Sequence, residues 1–408
     1  MMGIRWMRRF GMLIGIFLMP MSFLFAVPAD SLSRIKFFSF EEQPGFVFKS
    51  NKFYKRDNLA MKNAGFANAV HLKYGFRFAP HTSMAKIFPG SYQGIGLGYH
   101  AFGFKEELGN PLSIYIFHGA RIGTVSPLVT FNYEWNFGLS FGWHPYDART
   151  NIYNTVIGSK VNAYMNIGAY LAWTLSRHID LNTGFALTHF SNGNTKFPNA
   201  GVNTGALKVG VSYFFNRNLD MKSQTAIDIP DFPRHFSYDL LLFGSFRRKG
   251  IFIGNDHVAV PKKFAVAGFN FSPMYNWSYR FKTGFSVDGV YDASTDTYAL
   301  DSAVGAKSSG YSTQFGYPPF SHKIALGLSG RMEYVMPYFS INLGIGANVL
   351  HKGKDLKGLY QVLALKVNMS RDTYLNVGYN LQNFKDPNYL MLGIGYRFHN
   401  LYPKIRKD

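Results

Sequence analysis

The sequence predicts an all-β fold: a transmembrane antiparallel β-barrel built from two eight-strand repeats. Three observations carry this. Residues Phe131 to Trp143 read FNYEWNFGLSFGW, with Phe131, Tyr133, Trp135, Phe137, Leu139, Phe141 and Trp143 on one face and only Asn132, Glu134, Asn136, Gly138, Ser140 and Gly142 on the other. Successive strand side chains point to opposite faces, so one face is wholly apolar and the other small or polar. The pattern recurs at Phe339 to Val349, where Ser340, Asn342, Gly344, Gly346 and Asn348 share a face. Second, the links between such segments alternate between long and short. Third, no apolar run after the N-terminal segment approaches the roughly 18 to 20 residues of a membrane helix. Helical periodicity is almost absent, although aromatics make up 17% of the chain. Lipid offers the backbone no hydrogen-bond partners, so membrane-spanning strands must close into a barrel with an apolar outside and a polar inside.

The elements follow in order. Residues 1–29 have the layout of a secretory signal peptide, with Arg5, Arg8 and Arg9, an apolar run from Phe10 to Phe25, and AVPAD offering cleavage after Ala29 or, less well, Ala26. The chain has no cysteine, which excludes a lipoprotein anchor. Strands are expected near 36–48, 67–79, 91–104, 112–122, 128–143, 161–176, 178–190 and 205–216. A second set is expected near 236–248, 262–276, 278–291, 321–334, 336–350, 358–370, 373–384 and 388–398. Links 49–66, 144–160 and 191–204 are long, whereas the link at Ser176 to His178 is short. With periplasmic termini, the long links are extracellular.

The halves resemble each other. SRHIDLNTGFALTHF from Ser176 aligns without a gap on SRDTYLNVGYNLQNF from Ser370, and VGVSYFF from Val209 on LGIGYRF from Leu392. His189 becomes Asn383 and Ser191 becomes Lys385, so the second copy lost, or never had, that pair. The chain therefore divides into a first barrel repeat at 30–217, a periplasmic linker at 218–234 and a degenerate second repeat at 235–408. Pro230 and Pro233 make the linker a poor strand, which favours two tandem eight-stranded barrels. The rule that most such chains form one barrel tips the expectation slightly to a single barrel of about 16 strands, with 12–14 strands also open.

The formal charge of +20 calls for an acidic partner. Nucleic acid would bring Lys/Arg clusters or a recognition motif, and neither is present. Phosphorylated glycolipid at a cell surface fits better. The histidines lack metal-binding spacing, no cysteine is available to ligate zinc, and no cofactor is called for. GIGLGYHAFG from Gly94 lies in a strand, where glycine eases packing inside a narrow barrel. Glu134 and Asp180 point inward, expected to pair with a cation such as Arg121.

The stretch THFSNGNTKFPNAGVNTG, Thr188 to Gly205, singles itself out. In the strand before it, Ile179, Leu181, Phe185 and Leu187 form the lipid-facing row, with Thr183 its one polar member, and His189 and Ser191 continue that row. On the next strand Asn203 extends the outward row of Leu207, Val209, Val211 and Tyr213. Three polar groups thus converge on the outside wall at the extracellular rim. By periodicity alone this is either the membrane boundary, where polar residues are normal, or a site, since polar groups on a lipid-facing row mark function.

HFSNGNTKFPNAG resembles the active-site motif of the lipid A 3-O-deacylase (PagL-type) family in its His-x-Ser-Asn, a small residue, and Pro198-Asn199-x-Gly201 at matching spacing. The resemblance covers roughly Ala69 to Phe215. It implies a Gram-negative cell outer-membrane barrel that hydrolyses the ester holding the 3-position hydroxyacyl chain of lipid A, a carboxylic ester hydrolase of the acyloxyacyl hydrolase type. Lipopolysaccharide would be its partner; the oligomeric state stays open. By position, Ser191 is the nucleophile, His189 the general base, and Asn199 stabilises the oxyanion with Asn192 and backbone N–H groups around Gly193 and Asn194. The family's third member is a glutamate, and here the matching position is Asn203, which can orient an imidazole but not stabilise its charge. The alternatives are a non-catalytic structural barrel descended from such an enzyme and, if one wide barrel forms, a pore.

Overall fold

A computed structural model describes residues 34–217, 229–253, 256–300, 314–384 and 386–403. The expected signal peptide and residues 218–228 of the expected linker lie outside the described residues. Strands β1 (Arg34–Val47), β2 (Phe66–Phe78), β3 (Tyr92–Ala101), β4 (Gly109–Ser126), β5 (Val129–Trp143), β6 (Val161–Thr174), β7 (Ile179–Ser191) and β8 (Val202–Phe214) close into one antiparallel barrel. The second half contains β9 (His235–Arg247), β10 (Gly250–Ile253), β11 (Asp256–Ala259), β12 (Phe264–Asn276), β13 (Phe281–Asp292), β14 (Tyr298–Ala299), β15 (Phe315–Gly316), β16 (Ile324–Val335), β17 (Phe339–His351), β18 (Leu359–Asn368), β19 (Thr373–Gln382) and β20 (Asp386–Phe398). Eight of these, β9, β12, β13 and β16 to β20, close a second barrel, while β10–β11 and β14–β15 are small hairpins in its loops.

The expectation of a single wide barrel is therefore corrected in favour of its two-barrel alternative. β1 pairs with β8, and β9 pairs with both β12 and β20, so neither half leaves an open edge for the other. The physical reason lies in the lumens, since eight strands enclose just enough space for side chains to fill. In the first barrel Gly94 and Gly96 on β3 make room for rings from β4: an added Cβ would lie 2.7 Å from Phe117 at Gly94 and would overlap Tyr115 at Gly96. At its centre Lys73 Nζ lies 2.7 Å from Glu41 and 2.5 Å from Glu134, and Lys208 Nζ lies 3.0 and 3.1 Å from the same carboxylates. Glu134 thus pairs with Lys73 and Lys208, and Asp180 with Arg217 at 2.7 Å. The expected partner Arg121 is exposed instead. Two lumens of eight strands each lack the width that the pore alternative required.

The outside is apolar as the alternation demands. Phe185, Leu187, Leu207 and Val209 on the first barrel, and Phe285, Ile345 and Ile394 on the second, are exposed. The same face carries the contact between barrels. His118 and Phe339 lie on outward rows yet are each 1% exposed, because the Phe339 ring sits 5.4 Å from Trp135 and 6.4 Å from His118. Near the short turns the Tyr338 ring lies 6.2 Å from Phe76 and 6.4 Å from Phe78. At the opposite end the backbone N–H of Arg248 donates to the carbonyl of Asn194 at 3.0 Å.

Candidate active site

The register of β7 and β8 sets His189 directly opposite Asn203 and Leu187 opposite Gly205. On the other flank β6 places Met165 opposite His189 and Ala163 opposite Ser191. Directly opposed residues bring their Cβ atoms within about 5 Å, and here the side chains meet. His189 Nδ1 lies 2.6 Å from Asn203 Oδ1. An amide oxygen only accepts, so the ring hydrogen sits on Nδ1 and the Nε2 lone pair remains available as a base.

Ser191 ends β7, where the chain turns into the loop 192–201. Its Oγ receives the Gly193 backbone N–H at 3.1 Å and Asn199 Nδ2 at 3.0 Å, and lies 3.3 Å from Asn199 Oδ1. The Asn192 backbone N–H donates to Asn199 Oδ1 at 2.9 Å and fixes the amide so that Nδ2 faces the serine. Two donors therefore converge on the hydroxyl oxygen itself, next to where the oxygen of an attacked carbonyl would gather charge. Gly193 and Asn194 both have φ of 62°, a left-handed conformation that glycine adopts freely and asparagine tolerates.

The expected residues thus separate into two groups that the structure brings together on one face. His189 and Asn203 form one pair; Ser191, Gly193 and Asn199 form the other. Among the described residues no hydrogen bond joins the His189 ring to the Ser191 hydroxyl. The two residues stand two apart on one strand face, about 7 Å along it, and catalytic hydrogen bonds in unliganded sites are often long. Asn192 meets Asn199 through its backbone, while its Nδ2 donates to the Lys196 carbonyl at 2.7 Å. Asn194 accepts from Asn199 Nδ2 through its side chain at 3.1 Å.

Residues far away in sequence hold this loop. The Tyr54 hydroxyl donates to the Gly201 carbonyl at 3.0 Å, the Gly201 N–H to the Val156 carbonyl at 3.2 Å, and the Phe48 N–H to the Asn203 carbonyl at 2.9 Å. Burial pushes the Tyr54 hydroxyl well above the ordinary phenol range, which keeps it a neutral donor. Phe53, Tyr54, Phe102, Phe104, Trp143, Val156, Ile157 and Phe190 form the apolar cluster beneath, closing the barrel mouth under the site. Sequence reading missed these supports, because nothing in local alternation tells which loop tips meet. In the second barrel Asn383 occupies the turn after β19 with φ of 51°, and Lys385 lies outside the described residues.

Two family models match the chain. Residues 92–212 match the lipid A 3-O-deacylase (PagL) model, and residues 236–400 match that of the acyloxyacyl hydrolase C-terminal domain. Among solved structures, the chain is similar to Neisserial surface protein A, at 11% identity over 44% of this chain and 97% of that one, with a TM-score of 0.31. It is also similar to the outer membrane enzyme PagL, at 18% identity over 42% of this chain and 97% of that one, with a TM-score of 0.29. No curated protein matches the chain in sequence.

Proposed function

Given that the chain belongs to the PagL-type lipid A deacylase family of the outer membrane, we propose that its first barrel is a serine esterase that removes the ester-linked 3-position hydroxyacyl chain from lipid A. The observation that carries this reading is an imidazole oriented by Asn203 that stands two residues along the same outward strand row from a serine whose hydroxyl receives two N–H donors. A glycolipid of the outer leaflet reaches that place by lateral diffusion, with no need to enter the lumen.

In the proposed reaction, His189 Nε2 takes the Ser191 proton as Oγ attacks the ester carbonyl carbon. The negative charge that gathers on the carbonyl oxygen is met by the Gly193 N–H and Asn199 Nδ2. Collapse breaks the bond to the sugar oxygen, which leaves with the proton from His189. Water, deprotonated by the same imidazole, then releases the 3-hydroxy fatty acid and restores Ser191. The acyl chain lies against the apolar outward rows, where Met165 and Ala163 flank the site and Leu187 and Leu207 face the bilayer.

Lipid A isolated from cells producing the wild type is expected to lack one hydroxyacyl chain by mass spectrometry. Ser191→Ala is expected to retain that chain while the barrels still resist heat in detergent, since a truncation at a loop entry costs little stability. Loss of the same chain with both proteins would remove Ser191 as nucleophile. Intact lipid A with both would favour the descendant barrel without catalysis.

A further inference from the structure

The loop 192–201 is held on two sides. On one side stand the first barrel's own loops, through Tyr54 and Val156. On the other stands the second barrel. Leu390, on the outward row near the extracellular end of β20, packs so closely on Gly193 that an added Cβ there would lie 2.8 Å from its side chain. Beside it the Arg248 N–H donates to the Asn194 carbonyl. Both contacts fall on the two consecutive residues with left-handed backbone, one of which supplies the oxyanion N–H. Because glycine adopts many backbone conformations with equal ease, the direction of the Gly193 N–H is set by what packs against it.

We propose that the second barrel is a positioning element for the site: Leu390 and the Arg248 backbone clamp residues 193–194, so that the oxyanion donors are aligned only when both barrels are docked. This rests on the esterase reading above. It gives the second repeat a role that needs no catalytic residues of its own, consistent with Asn383 and Lys385 where the first repeat has His189 and Ser191. Leu390 touches no reacting atom; it acts through Gly193.

The test compares steady-state release of 3-hydroxy fatty acid from lipid A by the full-length wild type, Leu390→Ala, Leu390→Met and the control Leu392→Ala. Leu392 is the next residue on the same outward row and is exposed. Misaligning an oxyanion donor acts on the transition state, so Leu390→Ala should lower kcat by about tenfold to a hundredfold with KM little changed. Leu390→Met, which refills the space, should recover most of the rate, and Leu392→Ala should match the wild type. An active wild type with Leu390→Ala at the same kcat, or changed only in KM, overturns the clamp and leaves the esterase. A wild type that releases no acid overturns the esterase and, with it, the clamp's catalytic role. Docking is read separately: the chain has no cysteine, so Asn194→Cys with Arg248→Cys should give one disulfide-linked peptide on mild oxidation in membranes. Two thiols that react freely with maleimide and never link would show that the barrels do not meet at this rim.

Discussion

At the scale of single residues, Asn203 is where this chain departs from the family it resembles, and its amide oxygen 2.6 Å from His189 Nδ1 defines what that departure does. The amide fixes the tautomer and ring orientation. It offers only a dipole to the imidazolium formed during attack, whereas a carboxylate offers a charge. A hydrogen bond to a charged partner exceeds a neutral one by about 1 kcal/mol, which corresponds to about five- to tenfold in rate. Asn203→Glu is therefore expected to raise deacylation by about that factor, the added charge remaining hydrated at the half-buried rim. Asn203→Ala is expected to lower the rate by freeing the ring to rotate. Release of 3-hydroxy fatty acid under identical detergent and salt conditions checks both. Equal rates for all three proteins would mean that Asn203 has no part in the reaction.

At the scale of elements, each set of strands is pinned from inside by buried charge, and the two sets differ in balance. The first lumen matches two lysines to two glutamates. The second sets Lys366, Arg397 and Lys282 against Asp239 and Glu333. Lys366 lies 2.9 Å from Asp239 and 2.6 Å from Glu333, so it links β18 to β9 and β16. Lys282 is 3.8 Å from Glu333, has no hydrogen-bond partner for Nζ among the described residues, and rests 4.9 Å above the Tyr402 ring. Removing one partner from a well-paired buried cluster costs about 3 to 5 kcal/mol. Lys366→Met should thus destabilise the second barrel by about that much, whereas Lys282→Met should stay within about 1 kcal/mol of the wild type because it relieves an under-paired charge. Denaturant unfolding in detergent micelles measures both. Equal losses would mean that Lys282 is as well paired as Lys366.

At the scale of the whole molecule, the membrane sets the orientation. The loops that build the site lie at the end where the links are long, and the opposite end carries tight turns such as the one at Leu128. A single cysteine placed at Ile152, exposed in the link after β5, should react with a membrane-impermeant maleimide on intact cells. One placed at Leu128, exposed in the turn before β5, should react only after the outer membrane is opened. The reverse pattern would invert the protein and separate the site from outer-leaflet lipid A. Two barrels with their outward rows in contact also bury residues that a lone barrel would give to lipid, as at His118 and Phe339.

The sequence by itself determined every element governed by local periodicity. All sixteen barrel strands appear within a few residues of their expected places, because a period of two and the demand for backbone closure leave no other solution in lipid. It also determined that His189, Ser191 and Asn203 share the outward face, since a one-residue slip would turn the apolar face inward; that His189 stands directly opposite Asn203 is set by the register of β7 and β8. Three things only the tertiary structure decided. Closure into two barrels depended on how much side-chain volume eight strands enclose, which no strand reports alone. The partners of Glu134 and Asp180 depended on which strands face each other across the lumen. The support of residues 193–194 by Tyr54 and Val156 on one side and by Leu390 and Arg248 on the other joins segments up to about two hundred residues apart. Alternation records which face a side chain takes, and it carries no information about which distant loop tip or neighbouring barrel that face will meet.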